Sequence, residues 1–270
     1  MMIRFVAAAL MLALAGGVAS AAECQANALG TSRVLEVDAA TTPRVGLRHF
    51  PSTLPLAAKE VVLTFDDGPW PGTTPRVLDA LARECVKATF FLIGQNAAAH
   101  PELARRELSE GHTVAHHTFA HPLLDHLSAG TAEAEIDRGM AAVDAALHGA
   151  AAAAPRRPFF RFPGFASTPD LLDRLEARGI VVFGADLWAS DWNRMTPETE
   201  LHLTLERLAV AGRGIILFHD TKAQTAAMLP GFLRALKAGG YHVVHVIPSR
   251  PASTGLGAAP GPAFAGTTER

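Results

Sequence analysis

Seven strand-like segments alternating with six helix-like segments predict an α/β fold built on a parallel sheet. Two further observations select a barrel. Five short polar motifs each follow a strand-like segment, and in a β/α barrel the reactive groups come from several strands at one C-terminal face. Runs such as VVLTF and GIILF are continuously apolar, as expected of strands buried on both faces. An open doubly wound sheet shows the same alternation, and the strand-end motifs favour the barrel over it.

The expected strands, in order, are Val61 to Phe65, Ala88 to Ile93, His112 to His116, Phe159 to Phe162, Ile180 to Ala185, Gly214 to Phe218 and Tyr241 to Ile247. Between them, helical patterns cover Thr74 to Glu84, Ala97 to Glu110, Thr131 to Leu147, Pro169 to Arg178, Pro197 to Ala211 and Gln224 to Ala238. In the third, Ile136, Met140, Val143 and Leu147 recur at helical spacing, which is a core-packing stripe. Gly111, Gly149, Gly179, Gly212 and Gly239 are the expected helix stops, where positive φ is tolerated. His148 to Pro158 reads as a linker-like loop.

Four regions result. Residues 1–21 carry Arg4, an apolar run from Phe5 to Ala15 and small residues ending in Ala19-Ser20-Ala21, the pattern of a cleavable secretory signal. The run is too short and glycine-broken for a membrane span of about 20 residues, so periplasmic or secreted protein without stable membrane insertion is expected. Residues 22–58 are expected to form an N-terminal arm, 59–248 the main domain, and 249–270, rich in Gly, Pro, Ala, Ser and Thr, a disordered tail. The two cysteines, Cys24 and Cys85, are an even pair that an oxidising compartment would join, tying the arm to the domain.

The 270 residues carry a formal net charge of −2 and 49% hydrophobic residues, which argues against nucleic acid or an anionic membrane as partner. There is no Gly-rich dinucleotide fingerprint after a strand, no Walker loop and no solenoid repeat. A monomer is expected.

The motifs are TFDDGP (Thr64 to Pro69), HTFAHP (His117 to Pro122), RFPGF (Arg161 to Phe165), ASDW (Ala189 to Trp192) and LFHD (Leu217 to Asp220). Asp66 and Asp67 lie at a sharp Gly-Pro turn, where two adjacent carboxylates suit one metal ligand and one proton acceptor. His117 and His121, four residues apart, place two imidazoles on one face; with a carboxylate they make a three-ligand site with open positions. On spacing alone His116 competes with His117 for that role. Arg161 and Asp191 suit an ion pair, with the arginine orienting a catalytic carboxylate. His219, backed by Asp220 or another acid, suits a proton donor. Pro163-Gly164 allows close backbone approach to a ligand.

The order and spacing of these five motifs resemble the polysaccharide deacetylase family, the NodB-homology domain of carbohydrate esterase family 4, over about Glu60 to Ile247. The resemblance implies a distorted (β/α)7 barrel with Asp66 as general base, Asp67, His117 and His121 as metal ligands, and His219 as general acid. It also implies Arg161 orienting Asp66 and Thr118 bracing the histidine loop, and it fixes the His117 register. Trp188 departs from the family pattern, which has an aspartate three residues before Asp191. Asp191 is therefore the acid favoured behind Arg161, with Asp186 as the alternative. Pro163, Gly164, Phe165, Trp192 and Leu217 are the expected substrate lining, with Trp188 a further member.

The reaction implied is hydrolysis of N-acetyl groups of amino sugars in an acetylated polysaccharide or oligosaccharide. Zn²⁺ is the expected metal, with Co²⁺ or another divalent ion able to replace it, and a backbone N–H near His121 to Phe165 would share the oxyanion. An O-acetyl esterase on xylan or an exopolysaccharide would use the same centre. A hydrolase of small cyclic amides shares the fold class but ordinarily needs no export signal. A non-catalytic carbohydrate-binding relative is the reading that intact Asp66 and His219 oppose.

Overall fold

The structure, a computed structural model, describes residues 24, 26–151 and 158–249. The expected leader, the tail beyond Ser249 and most of the 148–158 loop lie outside the described residues.

The elements run β1 (Thr31–Val37), β2 (Arg44–Val45), β3 (Glu60–Asp66), α1 (Thr74–Arg83), β4 (Thr89–Leu92), α2 (Gly94–Ala99), α3 (Pro101–Ser109) and β5 (Thr113–His116). There follow α4 (Ala129–His148), β6 (Phe159–Phe160), α5 (Pro169–Ala177), β7 (Val181–Phe183), β8 (Leu187–Trp188), α6 (Pro197–Ala211), β9 (Gly214–His219), α7 (Ala223–Ala238) and β10 (His242–Pro248). All seven expected strands form. The helix expected over Ala97 to Glu110 is two, α2 and α3, because Pro101 lacks an N–H and starts a helix afresh. After α7 the left-handed residue is Gly240 rather than Gly239. Among the described residues no helix is long and apolar enough to cross a membrane.

Every strand pairing is parallel. Along β3, β9 pairs from Val61 to Asp66, so β4 at its end and β10 at its start must share the other edge. From β4 the sheet passes through β5 and β6 to β7, while β8 pairs with β9. Since β7 and β8 belong to one bent segment, the ring returns to β3 through covalent chain at Gly184 to Asp186 rather than through a ladder. The N-terminal arm adds two strands: β1 lies along β10, and β2 along β7.

Alternation then sorts the side chains. One row of each strand faces the barrel interior: Val62, Phe91, Ala115, Phe159, Val181, Phe183 and Ile215 cluster there with Val45, Leu54 and Leu56 of the arm. The other row, including Leu63, Phe65, Phe90 and Phe218, packs under α1 and α7 against Leu78, Leu81, Leu229 and Phe232. Phe160 and Val182 meet Ile136 and Met140 of α4 and Leu171 and Leu175 of α5. The stripe read from α4 is thus divided between two parts of the outer layer, since Val143 and Leu147 join the first of these clusters.

Cys24 and Cys85 are joined, with Cα atoms 5.8 Å apart. Replacing both by serine is expected to lower the urea midpoint by the equivalent of up to about 4 kcal/mol, the loop-closure value for a separation of 61 residues. Intact mass with and without reductant should differ by two hydrogens.

Candidate active site

Interior rows carry the functional side chains. Two residues beyond Val62 and Thr64 comes Asp66; two beyond Ala115 comes His117; two beyond Phe159 comes Arg161; and Ile215 leads to Leu217 and His219. Asp67 would face outward by the same alternation, but its backbone turns to φ 75°, so consecutive carboxylates reach one site. Thr118, His121, Phe165 and Ser190 also hold positive φ, from 59° to 63°. Four of the five motifs therefore contain a non-glycine residue in a sparsely populated backbone region, a feature that clusters at functional sites.

Arg161 is completely buried. Its Nη1 donates to Asp66 Oδ1 (2.7 Å) and Thr64 Oγ1 (2.9 Å), its Nη2 to the Gly184 carbonyl (2.8 Å) and its Nε to the Phe183 carbonyl (3.3 Å). The guanidinium lies 4.3 Å over the Phe91 ring. Burial pushes the Asp66 pKa up, against the opposing pull of Arg161 and His219, which strengthens Asp66 as a base. Asp191 does not support Arg161, contrary to expectation. Two backbone carbonyls at the β7 bend do so, and the alternative, Asp186, is engaged by Leu47 N–H, Thr53 Oγ1 and Ile215 N–H.

Asp67, His117 and His121 converge, with candidate ligand atoms within 4.8 Å of one another. Asp67 Oδ1 lies 3.5 Å from His117 Nε2 and 3.3 Å from His121 Nε2, and it is a buried oxygen with no hydrogen-bond donor. His117 Nδ1 faces the Arg161 carbonyl at 2.7 Å and must donate to it, leaving the Nε2 lone pair toward Asp67. Burial holds His117 down to about 3, so its imidazole is neutral at neutral pH. An orphaned carboxylate oxygen facing a neutral imidazole lone pair fits a divalent cation. The loop is braced as expected: Thr118 Oγ1 accepts from His121 N–H (3.1 Å), and Gly94 N–H donates to the Thr118 carbonyl (2.9 Å). Gly139 is required here because a Cβ would collide with the Thr118 backbone.

His219 completes the opposite wall. Its Nδ1 lies 2.8 Å from Asp191 Oδ1, and its backbone N–H donates to Asp191 Oδ2 (2.6 Å). Burial opposes the charge on His219, but Asp191 outweighs it and the pKa rises to about 9. The acid behind this histidine is therefore Asp191. Asp220 instead accepts from Thr74 Oγ1 at the start of α1, and burial pushes it up to about 7. Thr225 Oγ1 sits 2.8 Å from Asp191 Oδ2 and 2.9 Å from Glu200 Oε1. One hydroxyl has one proton, so donation to Asp191 leaves its contact with Glu200 to a proton on the carboxyl. Burial, reinforced by Asp191, raises Glu200 to about 7.

These groups open into a cavity of about 570 Å³ lined also by Gly164, Phe165, Trp188, Trp192 and Leu217. Pro163 is buried and does not line it, because it begins the 3-10 turn Pro163–Phe165; Phe162 lines the wall instead. The N–H groups of His121 and Phe165 are already bound, to Thr118 Oγ1 and the Phe162 carbonyl, so neither is free for an oxyanion. Sequence reasoning missed His49, which reaches the cavity from the arm, and Lys222. It also missed Thr64 as a partner of Arg161, although parity with Asp66 was a signal for it.

A family model described as Polysaccharide deacetylase matches residues 54–183. The chain is 33% identical over 204 residues to a chitooligosaccharide deacetylase of Bradyrhizobium sp. (strain ANU 289), covering 70% of this chain and 90% of that one. The chain belongs to the polysaccharide deacetylase family. It is also 33% identical over 214 residues to the peptidoglycan-N-acetylglucosamine deacetylase PgdA of Listeria monocytogenes, covering 75% of this chain but only 42% of that relative. The solved structure of a Bdellovibrio bacteriovorus peptidoglycan deacetylase superposes with a TM-score of 0.72 at 31% identity, covering 84% of this chain and 62% of that one. As a polysaccharide deacetylase the chain keeps the family's parallel α/β architecture.

Two outcomes check the site. His117→Ala should lower bound divalent metal, measured by elemental mass spectrometry, by about tenfold or more. In chelated protein, His219 should titrate near pH 9 by NMR, and Asp191→Asn should lower that value by about one unit or more.

Proposed function

We propose that this chain hydrolyses the N-acetyl groups of amino sugars in a polysaccharide or oligosaccharide, releasing acetate and a free amine. The observation that carries this reading is a base and an acid on either side of one cation site. Asp66 Oδ2 lies 3.9 Å from His117 Nε2, and His219 Nε2 lies 3.9 Å from Asp67 Oδ2. Relatives named as chitooligosaccharide and peptidoglycan deacetylases support it.

Two imidazole nitrogens and one carboxylate form a donor set that zinc takes with a position left open, and Co²⁺ suits the same set. When bound, such a cation supplies Lewis-acid polarisation of the acetamide carbonyl and a lowered pKa for the attacking water. Asp66 takes the water's proton. Its Oδ1 is committed to Arg161, so Oδ2 is the receiving oxygen. His219 gives the Nε2 proton to the departing nitrogen, since Nδ1 is held by Asp191. Asp67, His117 and His121 would hold the cation, which would supply positive charge for the developing oxyanion, the backbone N–H groups of His121 and Phe165 being already bound. The Cys24–Cys85 bridge supports an oxidising compartment, hence an exported enzyme acting in the periplasm or outside the cell.

Acetate release from N-acetylated chitooligosaccharides and from peptidoglycan, abolished by chelator, is the expected result; release from acetylxylan alone would overturn the amide assignment. Asp66→Ala should cut turnover by about a hundredfold or more while metal content stays unchanged. An active Asp66→Ala enzyme sinks the base assignment.

A further inference from the structure

The arm reaches the active site by a turn that precedes residues 54–183, the stretch matched by the family model. Its chain turns at Gly46 to Ser52, where Gly46 N–H bonds to the Ser52 carbonyl (2.9 Å) and Arg48 N–H to the Ala185 carbonyl (3.0 Å). Asp186 fixes both ends of this loop, taking Leu47 N–H (2.8 Å) and Thr53 Oγ1 (2.8 Å). The tip so held presents His49 to the cavity that contains Asp66 and His219.

His49 joins a run of rings. It stacks on Phe165 with centroids 3.6 Å apart and planes 22° apart, and its centroid is 6.2 Å from that of Trp188. Trp188 in turn stands 5.8 Å from Trp192, which stands 6.1 Å from His219. Arg48 lies 4.4 Å over the Trp188 ring, on the rim of this arc. Trp188 stands where an acid was expected from the family pattern, so the arc exists because of that departure and because of the arm.

An arc of this kind matches a sugar chain. A pyranose has faces lined by C–H groups and edges lined by hydroxyls, and aromatic rings supply the apolar face that such a surface packs on. At about 570 Å³ the cavity falls within the range of roughly 300–1,000 Å³ that holds whole small-molecule ligands, and has room beyond one acetamide group. Phe165 covers one face of the His49 ring and Nδ1 lies beside Gly184, while the residue as a whole stays exposed and lines the cavity. Burial and the charges of Arg161 and Arg48 hold His49 down to about 4. The neutral ring offers one donor and one acceptor to sugar hydroxyls.

We propose that the N-terminal arm is part of the substrate site, and that His49, with Trp188, binds the sugar unit next to the one being deacetylated in an acetamido-sugar oligomer. This deepens the deacetylase reading above and rests on it. Trp188 and Trp192 stand between His49 and His219 along the arc, so His49 is placed to contact a neighbouring sugar unit rather than the departing nitrogen.

The test compares kcat and KM for a fully N-acetylated chitopentaose in wild type, His49→Ala and His49→Phe. His49→Ala should raise KM about tenfold with kcat within twofold, and His49→Phe, which keeps a stacking ring, should recover most of the loss; thermal unfolding reports whether each variant is folded. An unchanged KM, or a fall in kcat alone, overturns the subsite. If wild type releases no acetate, the deacetylase reading fails, and calorimetric binding of the same pentamer still decides the subsite. A Kd about tenfold weaker in His49→Ala supports it, and an unchanged Kd overturns it.

Discussion

A fully buried guanidinium is costly unless its donors are met, and Arg161 uses four of its five N–H groups to draw two separate parts of the barrel together. Thr64 and Asp66 come from the first ring strand, and the carbonyls of Phe183 and Gly184 from the bend that ends β7. These two carbonyls are free to accept because the chain leaves the ladder there. The break in the ring and the orientation of the base are thus one event. The Arg161 carbonyl also takes the Nδ1 proton of His117, so the same residue sets the tautomer of a candidate metal ligand.

Around that charge, environment separates groups of similar chemistry. Burial raises Asp66, burial lowers His117, and Asp191 raises His219 in spite of burial. Two histidines on the walls of one cavity are therefore driven to opposite protonation states, one neutral for coordination and one charged for proton donation. Pairs of titratable groups pushed apart in this way mark division of labour between acid, base and ligand.

Much of this was legible in the sequence because β-strands have a period of two. Asp66, His117, Arg161 and His219 continue interior rows whose earlier members are Thr64, Ala115, Phe159 and Leu217. What the motifs could not supply is adjacency between strands. Asp191 follows β8, and the register that sets Trp188 against Leu217 brings it beside His219, whereas Arg161 follows β6, next to β7. Motif order carries no such information, so Asp191 was expected behind the wrong partner. His49 had no local signal, since its place depends on β2 pairing with a strand more than a hundred residues away.

Asp186 gives the last feature a mechanical meaning. Where the ladder between β7 and β9 is missing, one carboxylate spans the gap, accepting from the arm on one side and from Ile215 on the other. Gly214 leaves the room it needs, since a Cβ there would press on the Asp186 side chain. The barrel is closed by a clasp rather than a weld. A displacement of the arm is therefore carried to the Trp188 wall through Arg48 and to the root of the His219 strand through Asp186, which makes the N-terminal segment a structural part of the domain that it precedes.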